Sequence, residues 1–126
     1  MQFARWVFGV AGVYGVLVML PQYFLEARVG QDYPPPVTHP EFYYGFVGVT
    51  LAWQVMFLLI ASDPPRYRPA MLVAVLEKAS FAVAAPLLFA AGRVAPIMLL
   101  AGGIDAVLGV LFAVAYVRTR SRGASS

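Results

Sequence analysis

The sequence predicts an all-α integral membrane protein, a four-helix transmembrane bundle with both termini in the cytoplasm. Three observations lead there. The 126 residues are 61% hydrophobic and 12% charged, whereas soluble domains carry about 25% charged residues, so the chain has too little polar surface to coat itself in water. Four apolar stretches, at about 3–23, 42–61, 69–91 and 95–117, each approach the roughly 20 residues needed to cross a bilayer core. The basic residues also fall unevenly between the connections. With the N-terminus inside, one side carries Arg5, Arg66, Arg68, Arg118, Arg120 and Arg122, and the other only Arg28 and Arg93, beside Glu26, Asp32 and Glu41. The positive-inside rule then sets the orientation.

The first stretch is expected to stay as a span. It has Arg5 and an apolar run, but Pro21-Gln22-Tyr23-Phe24 offers no small-residue cleavage site. Residues 24–41 form a proline-rich periplasmic loop in this reading, with Pro34-Pro35-Pro36 and His39-Pro40 holding it extended and polyproline-like. The second connection, Ser62 to Pro69, ends on a proline able to open the third helix. Gly92-Arg93-Val94 makes a tight hairpin with a helix-ending glycine. The basic tail, 118–126, is short and polar. Aromatic belts agree with the orientation: Trp6, Tyr67 and Tyr116 fall at the inner interface, and Tyr23, Phe24, Phe42, Tyr43 and Tyr44 at the outer one. The unequal connections break the symmetry that a transporter built from repeats would show.

Composition excludes several chemistries. Without cysteine, the chain can form no disulfide and hold no iron–sulfur cluster on its own thiolates. With one histidine, His39, it can build no multi-histidine metal site. The nucleophile elbow, the phosphate-binding loop and the paired metal-ligating histidines are absent, and nothing resembles a nucleic-acid motif. The expectation is therefore no catalytic constellation, no metal site and no nucleic-acid partner. His39 reads as a loop residue, with Glu41 as a companion able to share a metal or a proton.

Ionisable groups within a bilayer are expensive, so Glu77, Lys78 and Asp105 stand out. On the third span, Glu77 falls about 10 Å and Lys78 about 12 Å from the inner end, at about 1.5 Å per residue. Asp105 lies near the middle of the fourth, with Ala101, Gly102, Leu108, Gly109 and Phe112 as helical neighbours. Small residues admit another helix closely, so Asp105 is expected to face the bundle interior. Glu77 shares its face with Ala74, Ser80 and Ala84. Successive residues point about 100° apart on a helix, which predicts that Glu77 and Lys78 do not face one partner.

Together with Gln54 of the second span and Tyr14 of the first, these residues read as a buried polar site for a ligand head group or a proton. They read first as interhelical contacts, for instance Lys78 with Asp105, that set helix register, and also as a contact to another subunit. Trp53, deep in the second span, is expected to fill a crevice between helices or to stack on a ligand. Thr50 and Gln54, four apart, are placed to hydrogen-bond across helices. Ala11-x-x-x-Gly15, Gly48-x-x-x-Ala52 and Gly109-x-x-x-Ala113 are small-x-x-x-small pairs that favour close packing.

The four-span layout and the stretch from Arg66-Tyr67-Arg68-Pro69-Ala70-Met71 to Glu77-Lys78 resemble small bacterial four-helix inner-membrane proteins of the DoxX-like kind. The stretch from His39-Pro40-Glu41-Phe42-Tyr43-Tyr44-Gly45 to Glu77 is similar to bacterial hypothetical proteins of this length. The resemblance spans about a dozen positions. It implies a subunit beside a catalytic partner in quinone- or thiol-linked redox complexes, and with no cysteine here any thiol would belong to that partner. A more distant likeness, to the sterol-isomerase and sigma-2-receptor group, implies buried acids with a histidine, and this chain has no histidine within a span. The leading expectation is a non-catalytic accessory or scaffold subunit of a larger membrane complex, such as a respiratory or photosynthetic one, with other membrane polypeptides as partners. The alternatives are a binder of a quinone- or lipid-like molecule and a lipid-modifying enzyme using the buried carboxylates.

Overall fold

Prolines and glycines mark where the helices start and stop in the computed structural model, which describes residues 2–32 and 37–119. Helix α1 (Gln2–Met19) tightens into a 3-10 segment, Leu20–Phe24, at Pro21, since proline cannot donate to the preceding turn. A short α2 (Glu26–Asp32) follows. Helix α3 (Pro40–Ser62) opens on Pro40, whose missing amide hydrogen is not needed in a first turn. It stops at Asp63, which precedes Pro64 and is thereby pushed out of helical backbone. Helix α4 (Arg68–Ala90) begins beside Pro69 and carries Pro86 within it. Gly92, at a φ of 74°, then takes the left-handed conformation that glycine adopts at no steric cost. Its amide donates to Phe89 O at 2.9 Å, and that of Arg93 to Leu88 O at 2.9 Å. Helix α5 (Ile97–Arg118) completes the chain's four long helices.

Among the described residues, all regular structure is helical, and four helices, Gln2–Phe24, Pro40–Ser62, Arg68–Ala90 and Ile97–Arg118, are long and apolar enough to cross a membrane. Two details differ from the sequence reading. The beginning of the first connection is helix, because Glu26 stands at the helix N-terminus and Arg28 Nε reaches Asp32 Oδ2 at 3.3 Å, one turn on. Proline restricts its own backbone and that of the residue before it, and so leaves 26–32 free to turn into helix; the run 34–36 itself lies outside the described residues. The fourth long helix starts at Ile97 and not Ala95, since Pro96 forms its N-cap.

The chain packs as two hairpins. Helix α1 lies along α3 and α4 along α5; the halves meet chiefly through α1 and α5, while α3 and α4 touch at few points. Glycines set the first pairing. A Cβ on Gly12 would come within 2.9 Å of the Gln54 carbonyl oxygen, and one on Gly15 would overlap the Gln54 side chain, so the two backbones approach as small residues allow. In the second pairing, Gly102 leaves room for the Ala85 methyl. The core is aromatic where the halves meet. Phe8 stacks on Phe112 at 4.2 Å, and Phe57 meets Phe112 edge-on at 4.9 Å, all three with 0% exposure.

Each end of the bundle is tied separately. At one end Arg68 donates from Nε to the carbonyls of Tyr116 and Thr119 and lies 3.7 Å over the Tyr116 ring, and Arg118 lies over Phe3. These contacts answer carbonyls that the last turn of α5 leaves open. At the other end, Tyr43 donates to Gln22 O at 2.7 Å and Tyr44 to Glu26 Oε1 at 2.9 Å, holding α2 against the start of α3.

Candidate functional site

Three ionisable side chains converge at the middle of the α4–α5 pair. Lys78 sits at the centre, its side chain 8% exposed. Its ammonium donates to Asp105 Oδ1 at 3.3 Å and lies 3.6 Å from Glu77 Oε2. Gly109 permits this, because its missing side chain leaves space for the Lys78 Cβ, bringing the two helices together at that level. On the third side Phe57 of α3 presents its ring 5.4 Å from the ammonium, a favourable seat for a cation. The carboxylates lie further out, with side chains 21% exposed for Glu77 and 20% for Asp105.

Glu77 and Lys78 meet each other although their side chains leave the helix about 100° apart. The Cα–Cβ directions of the two residues do diverge. The four methylenes of a lysine let its ammonium swing back across that angle, so Lys78 reaches both its chain neighbour Glu77 and Asp105.

The other residues singled out from sequence are placed elsewhere. Gln54 is buried, but at the α1–α3 contact against Gly15, and its amide donates to Thr50 O at 2.9 Å within its own helix. The hydrogen bond that Gln54 was expected to make to another helix is thus made within α3. Tyr14 is 48% exposed on the outside of α1 and does not join the ionisable cluster. Trp53 is half-buried, its ring 6.4 Å from Phe57. On its other side it lines a shallow recess of about 290 Å³ with Val49, Ala52 and Met56. His39 is the N-cap residue of α3, exposed, with Nδ1 3.2 Å from Glu41 Oε1 and its ring against Phe42. Among the described residues no three His, Cys, Asp or Glu side chains group as a metal site would.

Two features escaped the sequence reading. The Phe8–Phe57–Phe112 stack is one; nine phenylalanines are spread along the chain, and nothing in their spacing marks these three as partners. The other is the part Arg68 plays in closing the C-terminus of α5.

Chemically, the cluster sets two carboxyl groups against one ammonium. It can hold helices in register, and it can take one further positive charge or donor on its open flank. Compared with protein-family models, with curated proteins and with solved structures, the chain gives no match.

Proposed function

We propose that the chain is a non-catalytic accessory or scaffold subunit of a larger complex in the bacterial inner membrane, of the respiratory or photosynthetic kind, with both termini in the cytoplasm. The observation that carries this reading is how the interior is filled. At the level where a transported or transformed molecule would sit, the stack of Phe8, Phe57 and Phe112 occupies the space between the halves, and Gly12, Gly15 and Gly102 bring neighbouring helices into contact. Ligand sites usually measure about 300–1,000 Å³ and are enclosed. Outward, large apolar side chains such as Leu76, Val83 and Leu87 on α4 and Val107 and Val110 on α5 are exposed, offering surface to other membrane polypeptides.

The test is extraction of the untagged chain's membrane into native nanodiscs, followed by mass spectrometry of the intact particles. A second polypeptide in fixed ratio to this 13.7 kDa chain is the expected result. A lone chain carrying a stoichiometric lipophile would overturn the subunit reading. It would favour the second one, a binder of a quinone- or lipid-like molecule, which the recess at Val49, Ala52, Trp53 and Met56 supports. That recess is apolar and is not lined by Glu77, Gln54 or Asp105, so the ligand would be held by Trp53 and shape alone.

Orientation is tested separately. The arginines at 5, 66, 68, 118, 120 and 122 should hold both ends inside. A green fluorescent protein fused after Ser126 should therefore fluoresce, and an alkaline phosphatase fused there should be inactive; the reverse pattern would invert the topology.

A further inference from the structure

We infer that the partner in that complex is a transmembrane helix bearing a basic side chain at its centre, which docks on the α4–α5 face and brings its charge to Glu77. The inference rests on the subunit reading and names the chemistry of the contact. Two carboxyl groups share one ammonium, and the shares are unequal. Asp105 accepts the hydrogen bond from Lys78, whereas Glu77 has only the longer 3.6 Å approach. That approach is through an Oε2 that is itself buried and makes no hydrogen bond among the described residues, while the side chain as a whole stays partly exposed at 21%. The cluster is thus one positive charge short, and the shortfall lies on Glu77.

Depth makes this matter. Glu77 stands about 14 Å along a helix of about 34 Å, and Asp105 about 12 Å along one of about 33 Å. Both are far from either headgroup region, where water or phosphate would answer a carboxylate. Position on the surface agrees independently. The spans carrying the cluster are the least covered by the rest of the chain, 17% buried each against 33% for the first span. One turn beyond Glu77, Ser80 is exposed and uses its hydroxyl on its own helix, donating to Glu77 O. This leaves a small side chain beside the carboxylate, over which another helix can lie close.

The probe is a synthetic leucine-rich transmembrane helix of about 23 residues with one central lysine. An all-leucine helix and one with a central glutamate serve as controls. The full chain, labelled through the single cysteine of S125C, is reconstituted in bilayers, and association is read by energy transfer. The lysine helix should bind about tenfold more tightly than the leucine helix, the range for a polar contact between membrane helices. E77Q should reduce it to the leucine level. S80L, which keeps every charge and blocks close approach, should do the same, and it keeps the test open if E77Q lowers helical content. Equal binding of the lysine and leucine helices would overturn the inference and leave a proton as the counter-charge. The native particles separate this failure from failure of the subunit reading. A co-purifying polypeptide that crosslinks to α1 or α3 but not to position 80 would retain the subunit and discard the docking face.

Discussion

Replacing Lys78 with methionine should destabilise the bundle by about 3–5 kcal/mol, the usual cost of removing one partner from a buried ion pair. Methionine keeps most of the side chain's length and apolar stem, so the loss isolates the ammonium. Without it, Glu77 and Asp105 are left as two carboxyl groups at mid-depth with no counter-charge among the groups that now touch them. Unfolding of K78M by SDS in mixed micelles measures the effect. The triple variant E77Q/K78M/D105N, which removes every charge together, should recover most of the loss, because well-packed neutral groups of similar shape avoid the desolvation penalty. A K78M protein within about 1 kcal/mol of the parent would mean that the lysine is not the element holding the two acids.

What the sequence made legible divides along a physical line. Hydropathy marks the spans because a bilayer demands about 20 apolar residues in a row, and Pro21, Pro40, Pro64 and Gly92 mark their ends because each acts through its own backbone. Pairing of the spans was not legible. Lipid is as apolar as leucine, so outward and inward faces look alike in composition, and nothing distinguished Phe8 and Phe112 from exposed Phe24 or Phe42. The charged cluster was found because charges are rare at that depth. Helix periodicity does not foretell that the Lys78 ammonium folds back onto its own neighbour Glu77, because that depends on side-chain reach. Tyr14 and Gln54 were grouped with it only by depth; their azimuth around α1 and α3 sends them elsewhere.

The second large effect is expected at Gly12. G12V should cost about 2–3 kcal/mol, at the upper end for an overpacked contact, and should open the α1–α3 pairing. The new Cβ would lie 2.9 Å from the backbone oxygen of Gln54 and 2.7 Å from the Leu58 side chain. Leucine can change rotamer, but a carbonyl within α3 moves only with its helix. Gly45 and Gly103 provide the internal control, since a Cβ at either meets nothing within 4 Å. G45V and G103V should therefore differ from the parent by no more than the propensity gained on leaving glycine, under about 1 kcal/mol. Energy transfer between labels on α1 and α3, measured through the same SDS titration, separates the classes. Equal behaviour of G12V and G103V would show that the close approach at Gly12 is not what holds the first hairpin.

The aromatic stack has a consequence for biosynthesis. Phe8 and Phe57 belong to the first hairpin and Phe112 to α5. A ribosome delivers α1 and α3 long before residue 112, so the early hairpin waits with two rings open on the side that α5 will occupy. Helix α4 cannot cover them alone, as it touches α3 at few points. Closure therefore waits for α5, and a nascent chain stopped before that helix would leave Phe8 and Phe57 without the ring that covers them.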